Sequence, residues 1–155
     1  MSEVRPQIAL MTASDTDRVL FVPAIAMFDA AEVTWEFNDR ESALRGAAVV
    51  ICLARANSDS SNSELAIRCA RATSVPVLAV PWPDSIPTSH ELLLSALDFP
   101  PELGIGVLAI GEAGMKNAAL SAISILALED ERIAAWWERY RHQQTAGVLA
   151  ERELP

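Results

Sequence analysis

Ala47–Leu53 (AAVVICL) is apolar at every position, and the polar stretch Asn57–Ser63 (NSDSSNS) follows a few residues later. The run is too short for a buried helix and shows no helical period. It reads as a strand buried on both faces, the kind found inside a parallel sheet. Val75–Val80 (VPVLAV), closed by Pro81-Trp82-Pro83, has the same character. Working outward, Gln7–Met11 (QIALM), Glu32–Phe37 (EVTWEF) and Gly106–Ile110 (GVLAI) supply three more strands. Helical stretches are predicted between them at Thr16–Ala30, Asp39–Gly46, Ser63–Thr73, Thr88–Asp98 and Met115–Leu128. A last amphipathic helix is predicted from about Asp130 to Ala146, with Ile133, Trp136, Trp137 and Tyr140 on or near one face. Strands alternating with helices make an α/β protein joined by right-handed crossovers. The expected architecture is a three-layer, doubly wound parallel sheet with an extra C-terminal helix.

Local signals refine this outline. Ser14 or Asp15 is placed to cap the first helix, because short side-chain oxygens satisfy free first-turn amides. Pro23 removes a backbone donor and is expected to kink or shorten that helix. Pro100-Pro101 ends the Thr88–Asp98 segment, and residues after Val148 are expected to form a loose tail. In a sheet of this type ligands sit at the carboxyl ends of the strands, near a switch in strand order. That rule points to the loops Met11–Asp15, Phe37–Arg40 and Ala54–Ser63, with the Gly111–Asn117 turn as a fourth candidate.

The chain has 155 residues, of which 51% are hydrophobic, enough to bury a core and to fill one domain spanning 1–155. Twelve basic against 21 acidic side chains give a net charge of −9. A general nucleic-acid binder needs the opposite sign, although a few local cations still suffice for a small anion. Val19–Ala31 is apolar but interrupted by Pro23 and Asp29, so no membrane partner is expected. The start lacks the basic-then-apolar order of a signal peptide. Cys52 and Cys69 lie in apolar stretches without metal-type spacing and read as buried reduced thiols of a cytoplasmic protein. His90 and His142 are far apart in the chain, and no metal site is expected.

The segment Gly106–Leu120 (GVLAIGEAGMKNAAL) resembles PurE, the N5-carboxyaminoimidazole ribonucleotide mutase family of purine biosynthesis, where the wording is G-T-L-A-I-G-K-A-G-A-x-N-A-A-L. Val75–Pro81 (VPVLAVP) resembles the family's V-P-V-L-G-V-P, and Leu93–Pro100 resembles its S-L-x-S-I-V-Q-M-P. The resemblance covers roughly residues 7–150. It implies a flavodoxin-like fold, a phosphorylated ribonucleotide ligand, no cofactor and no metal. It also implies a homo-oligomer, an octamer in this family, in which the C-terminal helix at about 130–146 packs on a neighbouring subunit.

The family's reaction-centre motifs are altered here. Its first loop, G-S-x-S-D, holds the phosphate and the ribose. Here it is Met11-Thr12-Ala13-Ser14-Asp15, so Thr12, Ser14 and Asp15 are carried over as ligand contacts while a methionine replaces the glycine. The second motif, S-A-H-R, reads Phe37-Asn38-Asp39-Arg40. Arg40 matches the phosphate-pairing arginine, and a guanidinium can grip a phosphate with two hydrogen bonds. Asp39 stands at the position of the proton-carrying histidine and Phe37 at that of the serine. The glycine-rich loop A-G-x-A-A-H-L-x-G is replaced by Ala54–Leu65, which has neither glycine nor histidine. Leu65 matches the motif's leucine, placing Glu64 at the second histidine. In the fourth motif Glu112 replaces a lysine, while Asn117 is kept as a ligand contact.

The family reaction moves a carboxylate from an exocyclic nitrogen to a ring carbon and needs a group that shuttles a proton. Histidine suits this because it titrates near working pH. Aspartate titrates near about 4 in water and repels the substrate's carboxylate. The resulting expectation is a PurE-like protein that keeps the scaffold and part of a ribonucleotide phosphate site without ordinary mutase activity. One alternative is an active isomerase or lyase using Asp39 as catalytic proton carrier. Another is an unrelated flavin-binding domain, for which Thr12-Ala13-Ser14 is a thin phosphate loop.

Overall fold

The computed structural model describes residues 7–44, 46–56, 61–83 and 99–152. The helix expected over Thr88–Asp98, His90 and Asn57–Ser60 lie outside the described residues. Five strands form one sheet: β1 (Ile8–Met11), β2 (Trp35–Asn38), β3 (Val49–Ala56), β4 (Val77–Pro83) and β5 (Gly106–Val107). Their spatial order is β2-β1-β3-β4-β5, and every pairing is parallel. This is the expected flavodoxin-like α/β arrangement. The order reverses between β1 and β3, so the switch point lies where those two strands end.

The two-residue period of the strands sorts the core into two layers. Ile8 and Leu10 of β1, Val49, Ile51 and Leu53 of β3, and Leu78 and Val80 of β4 face one side. There they meet α1 (Val22–Ala30) through Ala24 and Phe28, and α3 (Gly111–Leu126) through Met115, Ala118, Ala119, Ala122 and Ile123. The buried alanines let α3 lie close against the sheet and α1. Ala9, Met11, Val50, Cys52 and Ala79 face the other side, against Leu65, Ala66 and Cys69 of α2 (Ser61–Ala72). Each large side chain so enclosed contributes about 1.5–3 kcal/mol. The thiols of Cys52 and Cys69 are free and buried, and they meet between β3 and α2. Contact with Cys69, followed by burial, pushes the Cys52 thiol well above its ordinary value.

Several boundaries differ from the expectation, each for a physical reason. The first helical segment is two pieces, a 3-10 turn at Asp15–Phe21 and then α1. Pro23 lies in the first turn of α1, where the missing amide has no intrahelical partner to lose, so it starts a helix instead of kinking one. Among the described residues of Asp39–Gly46 the helix is a short 3-10 turn, Glu41–Leu44. The segment at Gly111 is the start of α3 itself, not a turn preceding it. The C-terminal helix α4 (Glu131–Arg152) continues past Ala146, so the described residues after Val148 are helical up to Arg152. Asp130 caps α4, its Oδ1 accepting from the amides of Arg132 (2.9 Å) and Ile133 (3.2 Å). Ile133 enters the core, Trp136 and Trp137 lie against it, and Tyr140 stacks on both rings. No helix among the described residues is long and apolar enough to cross a membrane.

Candidate functional site

The ends of β1, β2 and β3 are brought together by strand register. Met11 is paired with Asn38 on one side and Cys52 on the other. The loops leaving these strands carry most of the site residues expected from the sequence. Thr12 Oγ1 accepts from the Ser14 amide (3.4 Å) and lies 3.3 Å from the Ser14 carbonyl oxygen. Ser14 occupies the cap position of the Asp15–Phe21 turn, but its side chain accepts nothing from that turn's amides. Its hydroxyl lies 2.8 Å from the Thr16 hydroxyl instead.

Arg18 joins two loops. Its Nη2 donates to Asp39 Oδ1 at 3.0 Å and lies 2.8 Å from Asp15 Oδ1. Its guanidinium rests 4.9 Å from the centroid of Phe37. Phe37 is itself packed edge-on against Phe21 (5.3 Å) and Trp35 (5.8 Å). The residue at the family's serine position is therefore an aromatic wall that supports Arg18. The Asp15 and Asp39 side chains remain 84% and 81% exposed, so a ligand can reach both.

Beneath them Asp17, buried, pairs with Arg55 Nη1 from β3. Asn38 is buried, and its Nδ2 meets no acceptor among the described residues. Arg40 is exposed and pairs with no carboxylate among the described residues. Asn117 is exposed on α3, with no hydrogen bond to Thr12, Ser14, Asp15, Asp39 or Arg40 among the described residues. Glu112 is exposed in the first turn of α3, where a carboxylate is favoured by the helix dipole. The described residues include no group of three or more His, Cys, Asp or Glu that could hold a metal ion. His142 is exposed on α4.

Arg18, Asp17, Arg55 and Asn38 were not among the residues the sequence singled out. Arg55 carries a signal of its own, since a guanidinium directly after an apolar strand run needs a carboxylate partner. Nothing in the sequence places Arg18 beside a residue 21 positions on.

Next to this mouth, Glu41 Oε1 accepts from Arg68 Nε at 2.7 Å, tying the Glu41–Leu44 turn to α2. The Arg68 hydrogen bond, with one from the Glu41 backbone, holds the Glu41 carboxyl below its ordinary value. A carboxyl depressed in the folded state stabilises above its unfolded value and loses that contribution as pH falls through the folded one. Glu41→Gln is therefore expected to cost about 0.5 kcal/mol at neutral pH, the scale of a partly exposed pair. The difference from wild type should fade as pH drops below about 4. Urea melts at neutral and acidic pH measure it, and an equal difference at both would contradict the assignment.

The AIR carboxylase family profile matches residues 7–147, nearly the whole chain. The chain belongs to the AIR carboxylase family. It is similar to the N5-carboxyaminoimidazole ribonucleotide mutase of Vibrio parahaemolyticus, 45% identical over 78 residues, which are 50% of this chain and 48% of that protein. The mutase of Brucella melitensis is 43% identical over 79 residues, 51% of this chain and 49% of the relative. That of Escherichia coli is 40% identical over 80 residues, 52% and 47% respectively. The chain thus spans about half the length of the curated relatives it matches. Within the AIR carboxylase family, the strand-end cluster of Asp15, Arg18, Asp39 and Phe37 is the feature of this chain that bears most directly on chemistry.

Proposed function

We propose that this AIR carboxylase family member keeps the scaffold and part of a ribonucleotide phosphate site but does not carry out the ordinary mutase reaction, being noncatalytic or repurposed. One observation carries the reading. The residue at the family's histidine position is Asp39, and its carboxylate accepts a hydrogen bond from Arg18 Nη2 at 3.0 Å. A proton shuttle needs a group that gives a proton as readily as it takes one. Asp39 offers no imidazole there, and its carboxylate is already engaged by a guanidinium. Loss of a positioned acid/base typically lowers rate by about 100- to 10,000-fold.

The ligand side of the reading rests on Thr12, Ser14, Asp15 and Arg40 at the strand ends, with Arg40 the cation for the phosphate. Asn117, on α3, makes no hydrogen bond to them among the described residues. The reading extends to a single domain over 1–155 in a cytoplasmic homo-oligomer, an octamer, assembled partly through α4. The exposed apolar side chains of Val148 and Leu149 on α4 support this assembly.

The test is incubation of the purified protein with N5-carboxyaminoimidazole ribonucleotide. Conversion is expected at no more than the spontaneous rate. Conversion above it by wild type, lost in Asp39→Asn, would overturn the reading and make Asp39 the proton carrier. Asp39→His is the companion variant: activity gained there would show that the rest of the pocket is competent. Ribonucleotide phosphates are expected to raise the melting temperature, because a ligand that binds only the native state stabilises it.

A further inference from the structure

We propose that Cys52 and Cys69 form a redox lock: a hydroperoxide closes the two thiols to a disulfide that fastens α2 to β3, and a small dithiol reopens it.

The chain has two cysteines, and the fold brings both into one core layer. Cys52 lies in β3, the middle strand of the sheet, in register with Met11 of β1 and Ala79 of β4. It belongs to the face covered by α2, which supplies Leu65, Ala66 and Cys69. The two thiols are free, fully buried and in hydrogen-bond contact with each other. Small side chains surround them: Ala9, Ala66 and Ala79 are buried in the same layer. Short side chains let a helix lie close to a sheet. A disulfide needs that approach, with Cα atoms about 4.4–6.8 Å apart.

The pair is asymmetric. Cys52 sits in the sheet, whereas Cys69 lies on the outer helix next to exposed Arg68, whose Nε is anchored on Glu41. The hydrogen bond from Cys52 holds the Cys69 thiol below its ordinary value; Arg68 helps, while burial and the Glu41 charge oppose. The thiolate is the attacking form, so Cys69 is the attacking sulfur and Cys52 the resolving one. The Cys69 thiolate attacks one peroxide oxygen. An S–O bond forms as the O–O bond breaks, and the departing hydroxide takes up a proton as water. The Cys52 sulfur then attacks the sulfenic sulfur of Cys69. The S–S bond forms, the S–O bond breaks, and the second water leaves with the Cys52 proton. Two thiols are oxidised and one peroxide is reduced. Both sulfurs are closed to solvent, so the oxidant enters when α2 opens locally from the sheet. The finished bond then opposes that same opening.

The test is treatment of the full, reduced chain with hydrogen peroxide under native conditions, followed by mass spectrometry without reductant. The expected product is a chain lighter by two hydrogen atoms, with its peptides linked through Cys52 and Cys69, and dithiothreitol should restore the starting mass. Amide exchange in α2 should slow about 10-fold in the oxidised form. Cys52→Ala is expected to stop at a sulfenic acid on Cys69, trapped by dimedone, and Cys69→Ala to leave Cys52 unlabelled. Two thiols still titratable after unfolding, oxygen added to either sulfur of the wild type, or a link between two chains would each overturn the proposal. An oxidised form whose α2 exchanges as fast as the reduced one would overturn the lock. Dimedone on Cys52 but not on Cys69 would overturn the assignment of the attacking sulfur.

Discussion

Alanine in place of Gly114 is expected to destabilise the protein by about 3 kcal/mol, with a fall in melting temperature of roughly 6–12 °C. The glycine sits in the first turn of α3, where the chain folds back on the end of β5. A Cβ there would lie 1.6 Å from the Ala109 carbonyl oxygen, 2.5 Å from the Ala109 carbonyl carbon and 3.2 Å from Val80 Cγ1. The first two are backbone atoms, which cannot rotate aside as a side-chain tip can. Relief requires α3 to move away from the sheet, which opens the layer holding Met115 and Ala118. Gly147→Ala is the matched control: its Cβ meets nothing, it lies inside α4, and it should stabilise by about 0.5–1 kcal/mol. Thermal melts of the two variants decide the matter, and a loss below about 1 kcal/mol at Gly114 would show that the junction yields. The same turn carries Gly111 at φ +69°, a left-handed backbone that favours glycine.

The fold was legible because its strands announce themselves. Ala47–Leu53 and Val75–Val80 are apolar on both faces, and both prove to be inner strands of the parallel sheet. The boundaries were less legible, since they depend on partners. β3 runs beyond its apolar stretch through Arg55 because Arg55 and Ala56 still have β4 residues, Trp82 and Pro83, to pair with. α4 outruns its amphipathic part because its later residues, exposed all round, need no buried face to stay helical once the helix is nucleated.

The candidate site was legible as a place more than as a set of contacts. The rule that ligands sit at strand ends, with the motif matches, located Thr12, Ser14, Asp15, Asp39 and Arg40. It did not foretell that Asp15 and Asp39 share Arg18, because that contact depends on the β1–β2 register and on where the Asp15–Phe21 turn lies. The substitution at Phe37 was visible, but its consequence was not. Only the packing shows that the ring stands between Phe21 and Trp35 and carries a guanidinium on its face.

Asp17→Ala is expected to cost about 3 kcal/mol, near the lower end for breaking a buried ion pair. Asp17 is buried in the Asp15–Phe21 turn, while Arg55, from the end of β3, has 28% of its side chain exposed. Removing the carboxylate leaves a partly buried guanidinium without that counter-charge, and water reaches only part of it. Replacing both residues, as Asp17→Ala with Arg55→Ala, removes the guanidinium as well. The double variant should be more stable than the sum of the single losses allows, with a coupling of about 1–3 kcal/mol. Urea unfolding of the four proteins measures that cycle, and additive losses would remove the pair from any structural role. The functional consequence follows from position. Asp17 lies between Asp15 and Arg18 on one short turn, so loosening that turn disperses the Asp15–Arg18–Asp39 cluster. Binding of a phosphorylated ligand at the strand ends should therefore weaken in Asp17→Ala even at temperatures where the protein stays folded.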